Sequence, residues 1–261
     1  MKIFVVDKYV IMTVCIALLA SVFVVSLAGV NAVPTGAQNE TSLPIYAVET
    51  EDKVVALTLN AAWNDTDIDQ ILETLRQNNI KCTFFAVGTW VEKYPEAVKK
   101  ILADGHEMGN HSYNHAHYNT LDIEKMCADM DACDKLLKAH GADSKLFRAP
   151  YGEYNEKVVE ACEKTGRYCI QWDVDSLDWK GLSEAEMTER ILQRIHNGSI
   201  ILLHNGTDQT ADALPGIIKE IRAAGYEFKM VGELIYKDNY RIDHAGRQWK
   251  KENQPDESSG R

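Results

Sequence analysis

The chain has 261 residues, 45% of them hydrophobic and 26% charged, with a net charge of −11. This balance suits a folded domain with one sizeable core and excludes a disordered or fibrous chain. With acids in excess and no basic cluster to neutralise phosphates, nucleic acid is excluded as a partner.

Lys2 and Lys8 precede a run from Val10 to Val30 that carries no charge. At about 1.5 Å per residue such a run crosses the hydrocarbon of a bilayer. The flanking lysines predict a cytoplasmic N-terminus, with all that follows extracytoplasmic. Val30-Asn31-Ala32 also has the small-residue spacing of a signal-peptidase site, so residues 1–33 read as a membrane signal-anchor or a cleaved secretion signal. Residues 34–52, rich in Pro, Ser, Thr, Gly and Asn, predict a linker. Residues 237–261, polar and aperiodic, predict a frayed tail. The domain proper is then 53–236.

Within it, Val54 to Leu59 predicts a strand, and Ile68, Ile71, Leu72 and Leu75 share one helical face. Lys81 to Val87 predicts a second strand. A helix follows, entered at Pro95 and closed by Gly105. Glu107-Met108 predicts a short third strand, Met126 to Leu137 a helix, Leu146-Phe147 a strand and Val158-Val159 part of a helix. Tyr168 to Trp172 predicts the next strand. Ser183 and Glu186 form a capping box for a helix bearing Met187, Ile191 and Ile195. Ser199 to Leu203 is the most apolar strand, and Leu214, Ile217, Ile218 and Ile221 line the last helix.

Repeated β-α alternation with fully apolar strands argues for an α/β fold with a parallel sheet covered by helices. About seven units fit a small or incomplete (β/α) barrel better than a full eight-unit one, with a doubly wound open sheet as the alternative. No glycine-rich phosphate loop follows any strand, so a nucleotide partner has no support. The five cysteines beyond the apolar run, Cys82, Cys127, Cys133, Cys162 and Cys169, lack zinc-knuckle spacing and read as buried small hydrophobes.

Polar residues recur just after the strands: Asn60, His111 and His115, Arg148, Asp175 and Asp178, His204. In a parallel α/β sheet these positions share the face where sites are built. His111 and His115, four apart, would point the same way on a helical turn and could share a metal. His106 and His117 read as packing or surface residues. His204 ends an apolar run where an imidazole can titrate near neutrality. Arg148-Ala149-Pro150-Tyr151-Gly152 sets a guanidinium before a rigid turn, and Asp175-Ser176-Leu177-Asp178-Trp179 puts carboxylates beside a large aromatic.

Taken in order, His-Ser-x-x-His, Arg-x-Pro-Tyr-Gly, Asp-Ser-x-Asp-Trp and Leu-x-His resemble four of the five motifs of the NodB-homology polysaccharide deacetylases, the family 4 carbohydrate esterases. The likeness runs from about Lys53 to Tyr236. It implies a de-N-acetylase of an N-acetylated glycan such as peptidoglycan, with His111 and His115 holding a divalent metal, usually zinc. It further implies Tyr151 as oxyanion donor, Arg148 as the residue orienting the base, and His204 as general acid tuned by Asp178. Trp179 and Leu202 would wall the acetyl pocket.

The first motif departs from the pattern. The family reads Thr-Phe-Asp-Asp, the first Asp as base and the second as third metal ligand, and here Thr58-Leu59-Asn60-Ala61 stands in its place. Asn60 cannot take a proton at pH 7 and Ala61 cannot ligate. Three readings follow: an enzyme reorganised around Asp65, a weak or inactive glycan-binding pseudoenzyme, and an envelope protein without glycan recognition.

Overall fold

The computed structural model describes residues 43–251. The run from Val10 to Val30 lies outside them. Among the described residues no helix is long and apolar enough to cross a membrane.

Strand β1 (Ala47–Val48) precedes the alternating part of the chain, which starts with β2 (Val54–Ala61) and α1 (Ile68–Gln77). Then come β3 (Thr83–Ala86), α2 (Gly88–Lys93), α3 (Pro95–Ala103), β4 (Glu107–Asn110) and α4 (Ile123–Ala139). The second half has β5 (Leu146–Phe147), α5 (Glu156–Lys164), β6 (Tyr168–Cys169), β7 (Val174–Asp175), α6 (Glu184–Leu192), β8 (Ser199–His204) and α7 (Thr210–Ala223). It closes with β9 (Glu227–Lys229), α8 (Val231–Leu234), β10 (Tyr240–Ile242) and β11 (Arg247–Lys250).

Strands β8-β2-β3-β4-β5-β6 lie side by side in that order and all run parallel, with β7 joining β8. The sheet forms an α/β half-barrel. Every residue of β2 is buried, as expected of a strand covered on both faces. Leu57, Leu59, Ile201 and Leu203 pack with Ile68, Ile71, Leu75, Leu214 and Ile217 in the core between sheet and helices. Burial of each such aliphatic side chain stabilises the fold by about 1.5–3 kcal/mol. On the other face of β2, Thr58 and Asn60 point inward with Arg148, leaving a polar seam along the half-barrel axis.

Three expectations change. The stretch read as a linker contains β1, and Ile45 just before it bridges to Ile170 beyond β6. The stretch read as a tail contains β10 and β11, with β11 pairing parallel to β1. These strands are too short to show a period, and distant partners rather than local sequence hold them. The strand expected over Tyr168 to Trp172 is shorter, only β6 at Tyr168–Cys169, which pairs with β5, and a separate strand beyond Trp172, β7, pairs with β8.

The sequence-derived capping box is present: Ser183 Oγ accepts from Glu186 N and Glu186 accepts from Ser183 N. The five cysteines of the described residues are free thiols, four of them buried, and Cys127 is half-buried.

Candidate active site

Register in the parallel sheet sets the carboxyl ends at one level. Asn60 and His204 are direct cross-strand partners on β2 and β8, and Asn110, the last residue of β4, pairs with Phe147 of β5. His111 and Arg148 therefore leave their strands side by side. A cavity of about 430 Å³ opens over these ends, bordered by Asn60, His111, His115, Tyr151, Asp175, Trp179, Leu202 and His204, among others.

His111 is buried, and its Nδ1 lies 2.7 Å from the Arg148 carbonyl oxygen. A carbonyl only accepts, so Nδ1 carries the proton and Nε2 keeps its lone pair. His115 lies close by, the two ring centroids 5.1 Å apart. Both imidazoles are shifted toward the neutral form, His111 strongly, by burial first and then by neighbouring positive groups.

The pair converges, but the helical turn anticipated from its spacing is replaced by a loop. Ser112 and His115 both have left-handed backbone, φ 71° and 58°. Two hydrogen bonds hold the turn: Ser112 N donates to Asn110 Oδ1 (2.8 Å), and His115 N donates to Ser112 Oγ (2.9 Å). Asn110 is fixed in turn by donating to Asp134 Oδ1 (2.6 Å), and Arg167 grips Asp134 through two nitrogens. Asn110, Asp134 and Arg167 have no place in the four motifs. Their signal was hidden because their pairing is across elements.

Arg148 is completely buried. Its Nη1 donates to Thr58 Oγ1 and Asn60 Oδ1, both at 2.9 Å, its Nη2 donates to the Gln171 carbonyl at 3.1 Å, and the guanidinium lies 4.0 Å above the Phe85 ring. Every one of these partners is neutral, and Nε has no hydrogen-bond partner among the described residues. Burial alone pulls the guanidinium pKa down to about 9.

His204 is organised by one carboxylate. Asp178, buried, accepts from His204 Nδ1 (2.8 Å), from His204 N (2.6 Å) and from Thr210 Oγ1 (2.7 Å). The ring is thereby held with Nδ1 protonated and Nε2 at its other end. Leu177, φ 57°, makes the turn that brings Asp178 under the ring. Thr210, from the start of α7, is a partner that the motifs did not disclose.

Three large hydrophobic residues are exposed among those described, Trp63, Tyr151 and Trp179, and all three border this cavity. Tyr151 has left-handed backbone, φ 60°, and its ring stacks on His117 and meets His115 edge-on. Leu202 is 2% exposed and lies on the cavity wall. His106 is buried away from the cavity against Cys82, while His117 is exposed and paired with Glu153.

Of the two residues of the departing first motif, Asn60 accepts from Arg148 through its amide oxygen, and Ala61 is fully buried and does not border the cavity. Asp65 does not border it either, nor does Asp67, whose Oδ2 accepts from Gly206 N (2.7 Å). Asp175 is the carboxylate that does. Among the described residues no group of three His, Cys, Asp or Glu converges as a metal site. Two imidazoles without a third anionic side chain do not fit the three-ligand set of a catalytic zinc.

The family model described as polysaccharide deacetylase matches residues 47–170. An uncharacterised protein of Bacillus subtilis is 34% identical over 74% of this chain and 60% of its own length, so the chain spans about three fifths of that relative. A peptidoglycan-N-acetylglucosamine deacetylase of Bacillus cereus is 31% identical over 73% of this chain and 92% of its own. The crystal structure of a family 4 carbohydrate esterase pseudoenzyme from Bacillus anthracis superposes with a TM-score of 0.71 at 30% identity, covering 80% of this chain and 73% of that one. A mutant of that pseudoenzyme is described as having restored enzymatic activity. With its half-barrel, its ordered motifs and these relatives, the chain belongs to the polysaccharide deacetylase family.

Proposed function

We propose that this cavity binds an N-acetylated polysaccharide of the cell envelope, peptidoglycan above all, and that the site removes acetyl groups slowly because it lacks a base. The observation that carries the reading is an asymmetry. The acid half of a de-N-acetylase is intact in the Asp178–His204 pair, whereas the base position is an amide held by Arg148.

An amide is a poor electrophile, and its cleavage needs a proton for the departing amine. His204 takes up a proton from solvent at Nε2, forming the imidazolium that Asp178 stabilises, and passes it to the departing nitrogen as the C–N bond breaks. Trp179 and Leu202 wall the acetyl group, and Tyr151, with its turned backbone, offers its N–H to the developing oxyanion. The attacking water has no carboxylate to deprotonate it, which costs typically ~10²–10⁴ in rate. Zinc would find His111 and His115 but no third donor among the described residues.

A second reading, a catalytically silent glycan-binding pseudoenzyme, is favoured by the same amide at Asn60 and by the pseudoenzyme among the structural neighbours. We place the cavity outside the cytoplasm, tethered through the apolar run from Val10 to Val30. The support is that uncharged run together with relatives named for peptidoglycan.

Purified protein is titrated with chitotetraose and with peptidoglycan fragments, and acetate release is followed with and without added zinc. Binding with slow release supports the proposal. Binding with no release at all selects the pseudoenzyme, and neither binding nor release rules out both.

A further inference from the structure

The loop after β2 carries Trp63, to which neither the motifs nor the chemistry above gives a part. Its indole is 49% exposed and borders the cavity. One face lies on the His204 imidazole, with centroids 5.2 Å apart and planes 26° from parallel. With Tyr151 and Trp179 it makes up the three exposed large hydrophobic residues among those described, all on the rim of one cavity, and an apolar rim gathered at a cavity marks a ligand site.

The loop is fastened in place. The Asn64 carbonyl accepts from Trp90 Nε1 at 3.1 Å and from Asn205 Nδ2, tying the loop to α2 and to the loop after β8. Asp67 Oδ2 accepts from Gly206 N at 2.7 Å, a second bond between the same two loops. Trp63 therefore stands at a fixed distance from His204, and its free face opens beside the proposed proton donor. A flat apolar face with polar groups at its edge matches a pyranose ring, which presents C–H bonds on its faces and hydroxyls around its rim.

We propose that Trp63 is a sugar-stacking platform: it holds one neutral acetylhexosamine ring of the glycan on its free face and so sets the glycan's register relative to His204. This rests on the glycan-binding reading above and adds the residue that fixes the position of the chain in the cavity.

The test uses the full-length protein and chitotetraose, with binding read by calorimetry and by tryptophan fluorescence. Trp63→Ala is expected to raise the Kd about tenfold, as for an aromatic anchor at the centre of a contact. Trp63→Phe, which keeps a flat ring, should stay within about threefold. Trp63→Leu, apolar but not flat, should weaken binding as Ala does, and serves as the probe if Ala loosens the loop. Equal or tighter binding by Trp63→Ala and Trp63→Leu, with wild-type binding intact, overturns the platform and leaves the glycan reading standing. Failure of the wild type to bind chitotetraose and peptidoglycan fragments overturns both.

Discussion

Replacing Asn60 with Asp sets a carboxylate oxygen about 2.9 Å from Arg148 Nη1, in the place of the amide oxygen that accepts there now. Arg148 is buried among neutral partners, and burial lowers its pKa from 12.5 to about 9. At 1.36 kcal/mol per tenfold change this is roughly 5 kcal/mol of desolvation that the present partners leave unrecovered. Because the cation is already buried, only the desolvation of the new acid is an added cost. We expect Asn60→Asp to stabilise the fold by about 1–2 kcal/mol at pH 7, the remainder of a pair whose loss usually costs about 3–5 kcal/mol. Arg148 holds the new carboxyl below its unfolded pKa of about 3.9, so the gain is present above that pH and disappears as pH falls through the lower folded value. The same carboxylate is a base for water, and acetate release from chitotetraose should rise about 10²–10⁴-fold. Adding Ala61→Asp should tighten zinc binding measured by calorimetry beyond that of Asn60→Asp alone. A variant that melts lower at pH 7 and releases no more acetate than the wild type would refute the assignment of Asn60 to the base position.

Two further outcomes follow from the same geometry. Asp178→Asn removes an acceptor shared by His204 Nδ1, His204 N and Thr210 Oγ1. In the Asn60→Asp background it should cut acetate release about 10²-fold or more while leaving glycan affinity within about threefold, because the imidazole loses its fixed tautomer; an unchanged rate would remove His204 from the acid role. Far from the cavity, burial lowers the His106 pKa to about 4. A histidine depressed in the folded state binds its proton more readily when unfolded, so stability is full above about pH 6.5 and falls by roughly 3 kcal/mol as pH drops toward 4. Chemical melts of the wild type and His106→Gln across that window should show a shallower decline in the variant.

Much of this was legible in the sequence because the fold writes itself in short periods. The all-apolar β2 and β8 and the helical stripe Ile68, Ile71, Leu72 and Leu75 place their residues with local information alone. So does the rule that sites gather at strand carboxyl ends, which brings Asn60, His111, Arg148 and His204 together. What stayed hidden depends on partners far along the chain. The two imidazoles converge through a turn held by Asn110, and Asn110 is held by Asp134 and Arg167 from α4 and the approach to β6. The edge strands β1, β10 and β11 exist because they pair with one another and with β8. Trp63 could have been noticed as an aromatic three residues beyond Asn60, but only the stacking on His204 gives it meaning.

The backbone around the cavity bears on whether the site is a relic. Of the six non-glycine residues with positive φ among those described, Ser112, His115, Tyr151 and Leu177 carry the loops that hold the two imidazoles, the exposed tyrosine and Asp178. A left-handed conformation costs a residue with a Cβ roughly 1–2 kcal/mol, and a β-carbon-free glycine would relieve it at each of these positions. Such strain persists where it positions something. Asn60 and Ala61 supply no carboxylate, yet the strained loops, the Asp178–His204 pair and the aromatic rim are all in place. What they position in common is the two imidazoles, the Asp178–His204 pair and the exposed Tyr151 on the cavity wall. Under the proposed function, a site without its base that still bears that strain keeps its acid, its oxyanion donor and its glycan wall in register, which is what slow acetyl release requires.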